Sequence, residues 1–309
     1  MWIYIARRLL WMPFLLITVS MVTFSLGQFG PGDPVEILLG QHFNPEVVTR
    51  IRQERGLDNP FFIQYRDYVW GVLHGDLGLS FKYVGQPVDR LIAKKIWVSA
   101  QLGIAAMIIS IGLGFPLGLL AALKQGTWID TAIVSFTLFF MALPVFITAP
   151  VLLLVLVLKL HWLPSSGWGG FFSPYIVMPA LVMGIPGVAG LTRLMRASTL
   201  DVLGQDFIRT ARAKGLSELI VQYRHVIRNA LIPIMTVLGF ALAGLVTGAF
   251  ITETIFGIPG VGRLALESIF ARDYPVIMAL TLIISLAFVL ANLFVDVMYA
   301  IIDPRIRYR

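Results

Sequence analysis

DVLGQDFIRTARAKGLSELIVQYRHVIRNALIP, residues 201–233, is the one long, strongly charged interval between two apolar runs in the second half of the chain. It sets Arg209, Arg212, Lys214, Arg224 and Arg228 against Asp201, Asp206 and Glu218. The pattern predicts two short helices. The first ends at Gly215, a residue free to adopt the left-handed conformation that closes a helix, with Lys214 well placed against the helix dipole. Ser217 is the expected N-cap of the second, its hydroxyl accepting from amides of the first turn. Ala211, Ala213 and Gly215 keep the surface of the first helix low, so another protein's backbone could approach it closely. Phe207 and Leu216 supply apolar anchors and the arginines a charged rim. Composition alone also fits a solvated basic loop held on the inner side of a membrane by its charge. A DNA-reading helix-turn-helix is a further reading, weakened because the segment is short and tethered to apolar runs at both ends.

Of 309 residues, 58% are hydrophobic and 13% charged, against about 25% charged in soluble domains. This is not a soluble globular protein. The net charge of +7 needs no nucleic acid to explain it, because inner loops of membrane proteins concentrate Lys and Arg. The chain has no cysteine, which excludes a disulfide framework, a thiolate metal site and a Cys nucleophile. His42, His74, His161 and His225 are scattered without metal-ligand spacing.

Working outward, residues 1–29 read as a retained transmembrane helix rather than a signal peptide, since the apolar core outruns the roughly 7–15 residues usual for one. Residues 30–95 are polar and punctuated, and form an extracytoplasmic subdomain between the first two spans. Asn44-Pro45 and Asn59-Pro60 each predict a helix start, giving short amphipathic helices over 45–55 and 60–73. Phe61, Phe62, Tyr65, Tyr68, Val69 and Trp70 form the aromatic side of the second, expected to pack on the membrane interface or neighbouring helices. GDLGLSF at 75–81 is a turn-rich return. Five more apolar runs, near 96–123, 131–158, 172–192, 230–252 and 275–295, are each long enough to cross about 30 Å of hydrocarbon. The total is six spans, five of them in a core over 96–309 whose charged loop covers 193–229.

Counting Lys and Arg sets the orientation. With the N-terminus inside, the inner side holds Arg7, Arg8, Lys124, Arg193, Arg196, the arginines and lysine of the charged loop, Arg305, Arg307 and Arg309, while the short outer loops hold only Lys159, Arg263 and Arg272. Both termini and the charged loop are expected in the cytoplasm.

The spans are rich in glycine and proline, as transmembrane helices that pack closely can be. In the fifth, Gly239, Ala241, Ala243, Gly244, Gly248 and Ala249 suggest a smooth surface. Gly239, Ala243, Gly244 and Gly248, with Asn292 as a lone deeper polar group on the sixth, are the candidates for a pathway or subunit interface. No ionisable residue stands in the middle of a span, which argues against a proton- or ion-driven carrier. Glu253 to Leu264, ETIFGIPGVGRL, has no GKS or GKT lysine and is not read as a phosphate loop.

RTARAKG at 209–215, followed by RNALIP at 228–233, resembles the docking loop of ABC importer permeases, in the branch for dipeptides, oligopeptides, glutathione and nickel. Gly215 matches the family glycine and Ala211 its second alanine. Arg209, Thr210 and His225 stand where the general pattern has glutamate, alanine and isoleucine. The GDP and GDLG-S elements, the outer turn ETIFGIPGVGRL and the closing DYPVI and VDVMYAIIDPRIRYR extend the likeness over nearly the whole chain. The resemblance implies an all-α polytopic membrane protein of the type I importer permease fold, with six transmembrane helices and a small extracytoplasmic helical insertion between the first two. It implies that Phe207, Arg209, Thr210, Ala211, Arg212, Ala213, Lys214, Gly215 and Leu216 dock on an ATPase. It further implies a homologous permease partner, two ATPase subunits, a solute-binding protein and a place in the bacterial cytoplasmic membrane. No cofactor is expected in this chain; ATP and Mg belong to the partners. Alternatives from other classes are an intramembrane protease or lipid hydrolase, for which no serine, HExxH or paired-aspartate motif occurs in the spans, and a channel, for which no filter or charged ring occurs. Nickel chelates, glutathione or oligosaccharides are alternative cargoes to peptides.

Overall fold

The computed structural model describes residues 2–30, 49 and 58–302. Apart from residue 49, the expected helix at 45–55 lies outside them, as do the GDP turn and the last residues of the tail. Among the described residues the fold is helical throughout, with one isolated bridge between Leu79 and Pro87. Five helices are long and apolar enough to cross a membrane, or six when one bent pair is counted as a span.

Helix α1 (Trp2–Phe29) packs along the last helix, and Arg8 pairs with Asp296 there. Helix α2 (Phe61–Leu73) lies against α1 through its aromatic side. Phe61, Tyr65 and Tyr68 surround Phe24 at ring-centroid distances of 5.4, 5.5 and 5.4 Å. Phe61, Tyr65 and Tyr68 therefore pack on a neighbouring helix, while Phe62 and Trp70 of the same stripe stand exposed.

Helix α3 (Val88–Leu123) has 36 residues, about 54 Å at about 1.5 Å per residue. It starts eight residues before the expected edge at residue 96. Residues 88–95 carry Asp89, Arg90, Lys94 and Lys95 and look too polar for a span. Their apolar side nevertheless buries Val88 and Ile92 against Val261, Leu264 and Val276, which holds the added turns.

The third expected span, 131–158, is not one rod. It divides into α4 (Trp128–Ala142) and α5 (Val145–Lys159), which meet at 97°. Pro144 has no amide to donate, and it forces Leu143 before it into an extended conformation (φ −82°, ψ 115°). Pro150, by contrast, is carried inside α5, whose last turns widen to a π-helix over Leu153–Lys159.

Helix α6 (Val177–Leu203) outruns its expected end at 192 by eleven residues, so its polar last turns project beyond the apolar stretch. It lies on α3 through glycines. A β-carbon at Gly118 would stand 2.5 Å from the Thr192 carbonyl oxygen and 2.6 Å from the Met195 β-carbon. One at Gly114 would stand 2.8 Å from the Leu191 β-carbon. Gly114 and Gly118 are four apart on one helix face, the spacing that lets transmembrane backbones approach.

The charged interval then forms α7 (Asp206–Ala213) and α8 (Glu218–Thr247). The second short helix of the sequence expectation is the first turn of α8. That helix runs into the fifth span through a π-helical segment at Val221–Ile227. Ser217 occupies the N-cap position with extended backbone, but its side chain makes no capping bond.

Helix α8 stops at Thr247 because Gly248 turns to φ +70°, so the expected span to 252 is five residues too long. Short helices α9 (Phe250–Ile255) and α10 (Val261–Phe270) follow. Helix α11 (Tyr274–Ile302) returns beside α8 and α1.

Candidate docking helix and transport cleft

Helix α7 is amphipathic in a way that fixes which side faces out. Ile208 and Ala211, three residues apart, share one face and are buried with Val221 and Val226. Ala211 is 5% exposed, so it seats α7 on the protein's own core and does not present the low outer surface expected of it. Phe207 stands 43% exposed. Arg209, Thr210, Arg212, Ala213, Lys214 and Gly215 are exposed with it, and Leu216 closes that surface. Arg209 reaches Asp206 at 3.4 Å, and the Thr210 hydroxyl donates to the Asp206 carbonyl oxygen at 3.0 Å. Arg212 donates to Glu218 at 2.8 Å, tying α7 to the start of α8 across the turn. Gly215 makes that turn at φ +76°, and a β-carbon there would meet nothing within 4 Å.

Three further residues enlarge the surface. Leu219 is 67% exposed, Tyr223 71%, and Ile220 is also exposed. Sequence reading missed them because LIVQY looks like the apolar side of a buried helix. The available signal was the four-residue step from Leu219 to Tyr223, which places both on one face. Like Phe207 and Leu216, they are large apolar residues left exposed within the charged interval 201–233.

The pathway candidates do not converge. A β-carbon at Gly239 would collide with Val295 of α11, and Ala243 is buried. Gly248 sits in the turn after α8, where a β-carbon would stand 2.5 Å from the Gly262 nitrogen. Asn292 lines a separate crevice of about 380 Å³ with Arg8 and Trp11 between α1 and α11, and its amide donates to the Phe288 carbonyl oxygen at 3.0 Å. Only Gly244 opens onto a cleft. That cleft, about 300 Å³, lies between α3, α6 and α8 and is lined by Met107, Ser110, Met183, Gly190, Ala241 and Gly244 among others. No ionisable side chain is in its wall. The Ser110 hydroxyl is engaged with the Ala106 and Gly184 carbonyl oxygens at 2.8 and 2.9 Å.

At the other end of the bundle the glycine-rich turn closes around a carboxylate. Glu253 is fully buried. It accepts from the Ser99 hydroxyl at 2.6 Å, the Ala249 amide at 3.2 Å and the Arg263 amide at 2.8 Å. The Ser99 oxygen in turn accepts from the Val261 amide at 2.8 Å. A β-carbon at Gly260 would stand 2.5 Å from Glu253 Oε1. Here the amides that a phosphate loop would offer to a ligand are used on the chain's own carboxylate.

The GDLGLSF return is pinned at the same end. Asp273 accepts from the Ser80 hydroxyl and from the amides of Phe81 and Lys82 at 2.9 and 3.2 Å. Glu267 accepts from Tyr83 at 2.7 Å, Lys82 at 3.1 Å and Arg263 at 2.8 Å. Partial burial raises the Glu267 pKa, but these donors outweigh it and hold it down from 4.5 to about 2. A depressed carboxylate contributes stability above its ordinary value, and this contribution is lost as pH falls through about 2.

A helical bundle with five or six candidate spans, an exposed amphipathic helix between two of them and an uncharged cleft fit a membrane permease. Residues 1–88 match the N-terminal component, and residues 114–308 the main component, of the family described as the binding-protein-dependent transport system inner membrane component. The chain belongs to that family. It is 41% identical over 295 residues to the oligopeptide transport system permease protein OppB of Haemophilus influenzae, covering 96% of this chain and 95% of that one. Identity to the protein of the same name from Salmonella typhimurium is 38% over 296 residues, with the same coverage. The fold is also similar to a chain of the MetNI methionine ABC transporter in inward-facing form, with TM-score 0.53 and 15% identity, over 69% of this chain and 96% of that one. Both curated relatives are named as transport permeases, which sets aside the intramembrane-enzyme alternative; the chain is a permease subunit and not an enzyme.

Proposed function

We propose that the chain is one of two membrane subunits of an ATP-driven oligopeptide importer, with α7 in the cytoplasm as the docking helix. Its partners in this reading are a homologous permease subunit, two ATPase subunits that hold ATP and Mg, and an extracytoplasmic solute-binding protein. Both termini face the cytoplasm, and residues 30–95 form the outer subdomain.

The observation that carries the reading is the two-sided burial of α7. Ile208 and Ala211 fix it to the bundle, while Phe207, Leu216, Leu219, Ile220 and Tyr223 remain exposed beside arginines. Several large apolar side chains left exposed in one short charged segment support a protein partner. Coupling follows from connectivity. Gly204 and Gln205 alone separate α7 from α6, and the turn at Gly215 joins it to α8. Both α6 and α8 line the cleft, so displacement of α7 by a closing ATPase pair rocks two cleft walls at once. The uncharged wall supports an external energy source, since ion-driven carriers bury ionisable relays. It also suits cargo of varied side-chain chemistry, with selection made by the binding protein.

The test is uptake of a labelled oligopeptide into proteoliposomes holding the complete transporter, with ATP inside and binding protein outside. Saturable uptake that requires both is expected. Uptake without ATP, or of a nickel chelate, glutathione or an oligosaccharide in place of peptide, would contradict the proposal.

A further inference from the structure

One ion pair, with a buried carboxylate and an arginine 29% exposed, lies outside everything above. Asp130, in the first turn of α4, has a side chain 7% exposed and meets Arg196 of α6 in a two-pronged contact, Nε to Oδ1 at 2.7 Å and Nη2 to Oδ2 at 2.8 Å. The same carboxylate accepts from the Gly126 amide at 3.1 Å, which is in the turn joining α3 to α4. Thus three segments meet on one side chain: the end of α3, the start of α4 and the projecting part of α6. Arg196 stands ten residues before Asp206, where α7 begins, with an unbroken helix for most of that distance. A forked guanidinium–carboxylate contact fixes orientation as well as distance, which a single-point lysine contact does not.

We propose that Asp130 and Arg196 are positioning residues for coupling, which make α4 and the α3–α4 turn move with α6 when α7 is displaced. This rests on the docking reading of α7. The pair touches neither cargo nor ATPase surface; it acts by keeping two helices in one rigid unit. The lever it creates is short. Below the pair α6 leads to α7, and above it α4 leads to the 97° bend into α5. Without the pair, α6 could tilt on its glycine seam with α3 while α4 stayed behind, and ATPase closure would be spent without moving α4 and α5.

The experiment uses the complete transporter in proteoliposomes, with spin labels at Trp128→Cys on α4 and Asp201→Cys on α6. Both positions are exposed, and the chain has no other thiol. In labelled protein that still transports, the distance between labels is expected to be the same in nucleotide-free and ATP-trapped states. A change in that distance with the pair intact would overturn the proposal, whether or not any charge variant folds. In Asp130→Asn the distance is expected to change between states, and peptide taken up per ATP hydrolysed to fall at least about tenfold, or about 1.4 kcal/mol of coupling. Recovery of the ATPase subunit with Asp130→Asn is expected at the unsubstituted level. Normal uptake per ATP in Asp130→Asn, or loss of ATPase recovery, would overturn the proposal. Failure of the docking reading is a separate result: an unsubstituted chain that recovers no ATPase subunit.

Discussion

Gly215→Arg is expected to abolish ATP-driven uptake while the protein remains folded and inserted at a normal level. The structure separates the two effects. Inside the chain an arginine at 215 meets open space, since a β-carbon there has no atom within 4 Å. Its internal cost is the left-handed backbone at φ +76°, about 1–2 kcal/mol. Across the docking surface the same side chain occupies space that a partner must fill. Central interface residues contribute about 2–4 kcal/mol, so ATPase recovery is expected to fall roughly 30- to 1,000-fold. Ala211→Glu, on a sequence view, acts in the same way. Because Ala211 is buried on Ile208, Val221 and Val226, its glutamate would instead detach α7 from the bundle, and loss of docking would come with local protease sensitivity. Gly215→Arg with full uptake and normal ATPase recovery would show that residues 211–216 are not the docking surface.

Glu253→Ala is expected to give a large loss of stability. It leaves the Ser99 hydroxyl and the Ala249 and Arg263 amides without their acceptor. Each orphaned buried donor costs about 1–3 kcal/mol. These costs are not additive, and about 3–5 kcal/mol in total is expected, at the upper end for point substitutions. Collapse into the vacated space is blocked because Gly260 and Gly262 already bring backbone into contact there. Thermal unfolding in detergent reads the effect, and the α9–α10 turn should become the first site of proteolysis. Glu253→Gln keeps the shape and one accepting oxygen but turns an NH2 toward a donor, so an intermediate loss is expected. An unchanged melting temperature for Glu253→Ala would show that the turn is held by apolar packing alone.

The helix and turn of the charged segment were legible because their information is local. Charge, the glycine and the RTARAKG and RNALIP phrases lie within one short stretch, and α7 ends where Gly215 says it should. Long apolar runs likewise overlap each of the five long apolar helices and the bent pair. What escaped the sequence depends on partners far along the chain. Pro144 marks a break, but its 97° angle is set by what α5 packs against. Val88 and Ile92 extend α3 only because residues beyond 260 cover them. The stripe of small residues in the fifth span is split for a geometric reason, with Ala241 and Gly244 lining the cleft and the others elsewhere. At about 100° per residue, Gly239 and Ala243 share a side that faces inward, Gly244 is turned well away from them, and Gly248 is already off the helix. Glu253 was unreadable in a different sense, since a glutamate beside glycines looks like an exposed loop until Ser99, 154 residues away, is seen to donate to it.

Contact between α7 and an ATPase is read most directly by photo-crosslinking. The chain has no cysteine, so Ala213→Cys, at an exposed position on α7, carries a thiol-attached photoreactive group at one defined place. Trp162→Cys, exposed on the segment after α5, serves as the control at the other end of the bundle. In membranes holding the whole transporter, light is expected to join position 213 to an ATPase subunit and to leave position 162 unjoined to it. An ATPase adduct at 162 and none at 213 would contradict both the orientation and the docking role of α7.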